Sequence, residues 1–249
     1  MKFNVKHIAA VAAFVAMGAA HAAPVTVHTG DVFDGMKFSG SASLTLSGDV
    51  LGALDTGKIA LSPSGVAVPT IEKDADGFYA LATIQAPIIS VTFESTNHEV
   101  LKVGTQGGLT MTAPVVKSVS SGGSLTVTDL TANLTNNTIY ATLIGANGVG
   151  TLTNFALWNF ASISGGTVIT GNGTYNNILT GLSITPDGFN KFSQSLGLLK
   201  LGVNALKGID NYGTINSTIS AVPEASTTAY SLAGMALVGF MLSKRRKAA

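Results

Sequence analysis

Cysteine is absent from the 249-residue chain, which excludes disulfide frameworks and thiolate metal sites. Arginine occurs only as Arg245 and Arg246, near the C-terminus. Everything upstream lacks the residue best suited to grip phosphates and base edges bidentately, and no basic patch replaces it, so no nucleic-acid partner is expected. Histidine is scarce, with His7, His21, His28 and His98. None lies in a His-x-x-x-His or Glu-x-x-His spacing, which leaves a catalytic zinc site without local support. Serine is plentiful, yet no Gly-x-Ser-x-Gly elbow occurs. Gly145 to Gly150 is glycine-rich but lacks the lysine and the following helix of a phosphate loop. The chain is therefore expected to be non-enzymatic and to carry no cofactor.

What is present is concentrated first at the two ends. Lys2 and Lys6, the apolar run Ile8 to Met17 and the small-x-small pattern Ala20-His21-Ala22 make residues 1–22 a secretory signal peptide, with cleavage after Ala22 and Ala23 as the next choice. At the other end, Ala229 to Leu242 is an uninterrupted apolar run. As a helix it spans roughly 21 Å, less than the roughly 30 Å hydrocarbon core. Ser226 to Thr228 and Ser243 lengthen it, and snorkelling basic side chains make up the rest. Lys244, Arg245, Arg246 and Lys247 then act as a basic stop-transfer cluster that holds the C-terminus in the cytoplasm and the body outside. A permanent tail anchor and a removable sorting signal satisfy this physics equally.

The residues in front of the run separate those two. Val222-Pro223-Glu224-Ala225-Ser226, the helix 229–242 and the basic cluster together resemble the PEP-CTERM sorting tail of Gram-negative bacteria. The resemblance covers Val222 to Lys247 and implies recognition by an exosortase-like processing enzyme near the Pro-Glu element. Ala225 stands where a second proline is commonest. The resemblance also implies a place at the cell surface or in an extracellular matrix or biofilm, with exopolysaccharide as a candidate partner.

Between the ends, residues 23–221 form an exported domain with eight lysines and twelve carboxylates, a net charge near −4. Short β-branched or alternating segments are punctuated by Gly, Ser, Asn and Asp: Ser41 to Leu46, Ile59 to Leu61, Ile88 to Phe93, Leu125 to Thr128, Thr138 to Ile144 and Thr167 to Thr170. They predict a mainly β fold, a β-sandwich-like or layered antiparallel sheet. Turns are expected at Asp74 to Gly77, Ser120 to Gly123 and Gly145 to Gly148, and Pro87 and Pro114 at strand starts or edges. Thr-x-Thr at Thr110, Thr126 and Thr151 has no common period and reads as solvent-facing strand threonines. One amphipathic helix is expected over Pro186 to Lys207, capped by Thr185, with Phe189, Phe192, Leu196, Leu199, Val203 and Leu206 on one face and a break near Gly202. Tyr212 to Ile219 reads as a last strand, followed by a Ser/Thr-rich linker.

Weaker site candidates remain. Glu72, Asp74 and Asp76 offer hard oxygen ligands for calcium, though a polar hairpin accounts for the same residues. His98 lies beside Glu94 and Glu99 in what reads as a solvated turn. A surface binding module for polysaccharide or a small ligand is the alternative to a purely structural role. Leu182 to Gly188 resembles the end of HtaA-like haem-binding surface domains, which makes haem one such ligand. Tyr79, Trp158 and Tyr175 are the candidate contacts.

Overall fold

The structure is a computed structural model and describes residues 23–224. In chain order the first strands are β1 Val25–His28, β2 Val32–Phe33 and β3 Met36–Leu46, followed by α1 Gly48–Thr56, β4 Ala60–Ser64 and β5 Val68–Lys73. The central strands are β6 Tyr79–Phe93, β7 Val100–Thr105, β8 Gly108–Val116, β9 Ser120–Asn133, β10 Thr138–Gly145 and β11 Gly150–Asn159. Then come β12 Ser162–Gly165, β13 Gly173–Thr180, β14 Ser183–Ile184, α2 Pro186–Ser195, α3 Lys200–Lys207 and β15 Gly213–Pro223. Every named ladder is antiparallel and all the strands belong to one connected sheet, in the order β12-β13-β15-β3-β6-β7-β9-β10-β11-β14.

The two ends of that order meet. β12 continues β11 after Phe160 and Ala161, and β14 continues β13 after Gly181 and Leu182. Trp158 faces Ile184 and Asn159 faces Ser183; beyond the interruption Ser162 faces Thr180 and Gly165 faces Asn177, at the same offset. Ala161 N–H donates to Thr180 O across the gap. The sheet thus closes into a ring, with residues 150–165 and 173–184 each acting as one interrupted strand. Closure gives residues 158–165 and 177–184 partners, so this seam is not a free edge, the usual liability of a β protein, whereas β4 and β5 are paired on one side only.

Side-chain alternation explains where the ring bends. Along β6, Ala82, Ile84, Ala86 and Ile88 are buried, then Val91 and Phe93. The inward side changes from even to odd positions, which requires a bulge, and the β6–β7 register shifts between Ile88 and Ser90. The first half of β6 pairs with β3 and β5, the second with β1 and β7. Pro87 sits at this handover, where its missing N–H interrupts no continuous ladder. β9 repeats the device: Leu125 and Val127 are buried, then half-buried Leu130 and Ala132 face in, with Asp129 at φ +53° between them. Across from Asp129, Gly107 N–H donates to its Oδ1 at 2.8 Å. Only glycine fits at 107, because a Cβ there would lie 2.7 Å from Ala67 N and the backbone holds φ +88°.

The helices cover the ring. α1 packs on β6 and α3, and α2 on β9, β10 and β11. Thr185 caps α2 by accepting from Gly188 N–H at 2.9 Å, while its hydroxyl donates to Ala156 O at 2.8 Å. One residue thus starts the helix and ties it to β11. Thr185→Ala is expected to cost about 1–2 kcal/mol, read as a lower urea midpoint with an unchanged slope.

Several expectations are corrected here. The helix expected over 186–207 is two helices, broken at Leu196 to Leu199 rather than near Gly202. Gly197 takes φ +61°, and a Cβ at this position would collide with Gly122 O. The chain then joins the sheet edge, Leu199 N–H donating to Val119 O. α1 is an additional helix, capped by Ser47 Oγ. Ser120 to Gly123 lies inside β9, opposite Pro114, itself within β8; the turn is at Lys117 and Ser118, with Ser118 at φ +65°. Thr167 to Thr170 forms no strand, only a bridge from Val168 to Glu99. The turns at Asp74 to Gly77 and Gly145 to Gly148 are where they were expected. Of the threonines, Thr110 and Thr126 face each other with their hydroxyls 2.7 Å apart, and Thr26–Thr92 and Thr45–Thr83 do the same.

Candidate functional site: an interior cavity

The inward positions of the ring strands do not fill the space they enclose. A cavity of about 70 Å³ is lined by residues of β3, β6 to β13, β15, α1 and α2, among them Leu44, Ile84, Val103, Met111, Ile139 and Phe192. No acidic, basic or histidine side chain lines it. Its wall is hydrocarbon apart from a few polar groups.

Those groups define its chemistry. Among the described residues, six buried side-chain polar atoms have no hydrogen-bond partner, and Trp158 Nε1, Asn177 Oδ1 and Tyr212 OH are three of them. The same three side chains line the cavity and are 4%, 5% and 2% exposed. A buried polar atom without a partner costs about 1–3 kcal/mol. Three would cost roughly 3–9 kcal/mol, a large share of a domain stability of about 5–15 kcal/mol. They supply an N–H donor, a carbonyl acceptor and a hydroxyl that does either.

Each is held by the ladder around it. Trp158 is in register with Ile139 and Ile184, and Asn177 with Gly165 and Ser217. Tyr212 precedes β15, its N–H donating to Leu182 O and its carbonyl accepting from Ser47 N–H. Burial pushes the Tyr212 hydroxyl up to about 12 from its ordinary value of 10.0. Below pH 10 the group is protonated whether the chain is folded or not, and it does not alter stability. As pH rises through that window the unfolded chain releases the proton first, so stability falls. The difference between wild type and Tyr212→Phe should grow in favour of the variant by about 2 kcal/mol between pH 9 and 11.5, checked by urea denaturation at both pH values.

Of the three aromatic contacts expected from sequence, only Trp158 reaches the cavity. Tyr79 OH donates to Ile59 O and accepts from Leu61 N–H, and Tyr175 OH spans the Thr170 to Gly171 backbone. Asn177 and Tyr212 were not singled out by sequence, although strand parity marks the first. Asn177 shares the inward side of β13 with Leu179.

The remaining candidates are placed elsewhere. Asp74 Oδ1 accepts from the N–H groups of Asp76 and Phe78, which makes it the organiser of the β5–β6 turn. Among the described residues no three His, Cys, Asp or Glu side chains come together to hold a metal ion, so Glu72, Asp74 and Asp76 gain no support as a calcium site. His98 adopts φ +57° in its turn. Its ring packs edge-on to Phe33 and its Nε2 lies 3.7 Å from Asp34 Oδ2, so the nearest carboxylate is neither Glu94 nor Glu99. Neither His28 nor His98 lines the cavity, where the only side chains of a type that ligates haem iron are Met111 and Tyr212.

The Pro-Glu element begins where the last strand ends. β15 runs two residues past Ala221, with Val222 opposite Lys37 and Pro223 opposite Met36. Glu224 N–H donates to Gly35 O, and its carboxylate lies 3.5 Å from Lys37 Nζ. Of the expected Ser/Thr-rich linker, Ser220 to Pro223 is the last third of a paired strand, and the rest lies outside the described residues. Ala225, Ser226, the run 229–242, the basic cluster Lys244 to Lys247, and residues 1–22 with Ala20 and Ala22, where a signal peptide was expected, lie outside the described residues. Among the described residues no helix is long and apolar enough to cross a membrane.

Comparison with protein-family models, with curated proteins and with solved structures gives no match to this chain.

Proposed function

We propose that this chain is an exported, non-enzymatic surface or extracellular-matrix protein, delivered by its leader and sorted through its C-terminal tail. The observation that supports this most directly is the junction at Pro223: the last ring strand ends where the Pro-Glu element begins. A processing enzyme cutting after Glu224 would leave every ladder of the body intact, and a hydrophobic tail removed there takes no core residue with it. The order of parts parallels a lipid-anchor signal, in which a spacer and an apolar tail are removed as one piece. The body carries no basic patch for a polyanion and displays paired threonines on its strands, which suits a hydrated polysaccharide environment.

Intact-mass analysis of protein recovered separately from membranes and from culture supernatant tests the reading. A supernatant species beginning at Ala23 and ending between Pro223 and Ser226 is expected. A single membrane-bound species retaining Ala249 would make the tail a plain anchor and the body a tethered module.

A small-ligand binding role is a second reading, favoured by the position of Trp158 on the cavity wall.

A further inference from the structure

The cavity combines an uncharged hydrocarbon wall with three polar groups that the protein leaves unpaired. We propose that it is a binding site for a small neutral molecule, or the end of a longer one, that is mostly hydrocarbon and carries one hydroxyl or carbonyl. The inference rests on the small-ligand reading above and is independent of the sorting tail.

Size sets the first limit. An engineered protein cavity of about 150 Å³ takes up benzene, and this one is about 70 Å³. Its occupant is therefore a fragment of about three non-hydrogen atoms, the scale of a two-carbon alcohol. Charge sets the second: no lining residue can neutralise an ion, and an unpaired charge in such a wall is strongly disfavoured. The polar groups set the third. A hydroxyl can accept from Trp158 Nε1–H or Tyr212 OH and donate to Asn177 Oδ1, whereas a pure hydrocarbon would leave all three unpaired. A carbonyl uses the two donors alone.

The chain carries its own reporter, because Trp158 is its only tryptophan. The full chain, held in phosphatidylcholine vesicles, would be titrated with ethanol while Trp158 emission is followed. Xenon, which packs without hydrogen bonding, serves as the apolar probe through its quenching of the same fluorophore. So small a ligand is expected to saturate in the millimolar range. Ala86→Leu fills the cavity from β6, and Ala132→Val does so from β9 should the first variant not fold. Both controls are measured in the same vesicles, which cancels partitioning of the probe into lipid.

The expected result is a saturable emission change and a raised Tm in the wild-type chain, both lost in the filled variant. Tyr212→Phe should weaken the alcohol at least fivefold and leave xenon unchanged. A response equal in wild type and filled variant, or none to either probe, overturns the site and leaves water as its only occupant. Xenon binding without alcohol binding, or equal weakening of both by Tyr212→Phe, overturns the proposed ligand class while sparing the wider reading that the cavity takes small molecules.

Discussion

A chain ending at Tyr212 is expected to show no cooperative unfolding transition, whereas one ending at Glu224 unfolds as a single step. The residues between them are β15, paired along its whole length with β3 and over Gly173 to Leu179 with β13. Removing it strips Ile215, Ile219 and Ala221 from the core, and each large apolar side chain lost there is worth about 1.5–3 kcal/mol. It also opens the ring, leaving β3 and β13 with unpaired edges. Together these losses are on the scale of a typical stability of about 5–15 kcal/mol. Circular dichroism melts of the two truncations, each without its leader, make the comparison. A cooperative melt from the shorter chain would show that the ring does not depend on β15.

Phe93→Ala is expected to destabilise the body by about 3–5 kcal/mol, among the largest effects of any single core substitution. Phe93 is fully buried at the end of β6, in register with Val25 on one side and Val100 on the other. Its ring stacks on Phe33 at 5.3 Å with the planes 2° apart, and meets Phe38 at 5.1 Å, tilted by 47°. Truncation loses the buried area and leaves both partners facing a void, since β1, β3 and β7 are pinned by their ladders and cannot close in. Phe93→Leu keeps most of the volume and should lose less than half as much. Urea midpoints for the two variants test this; equal and small losses would mean that the aromatic cluster contributes little to the fold.

The mainly β character was legible because alternation is local. Thr138 to Ile144 shows Ile139, Ala141 and Leu143 at every second place, and these are the buried positions of β10. The start of α2 was legible for the same reason, Thr185, Pro186 and Asp187 acting within one turn. Ring closure was not. It depends on residues 158–165 finding 177–184 at a constant offset across an interruption, and no local pattern encodes that pairing. The expectation of a layered sheet had the mainly β character and the antiparallel pairing, but it placed a strand at Thr167 to Thr170 that is only a bridge and did not have the ring closure. α1 was hidden by Gly48 and Gly52, which argue against helix locally, while burial of Val50, Leu51 and Leu54 decides for it. The cavity was hidden because a polar residue in a strand normally faces solvent; Asn177 departs from that rule.

The pairing of β3 with β15 has a further consequence for how the chain acquires its structure. These strands are separated by most of the sequence, so the ring cannot close until residues 213–223 are available. Contacts of such long sequence separation make folding slow. A polypeptide threaded amino-terminus first through a translocation channel would then stay pliable until its last strand has emerged, at the moment when the hydrophobic tail behind it reaches the bilayer. Were the chain exported in this way, late closure would act as a timer, keeping it extended enough to pass through the pore and completing the domain only on the far side.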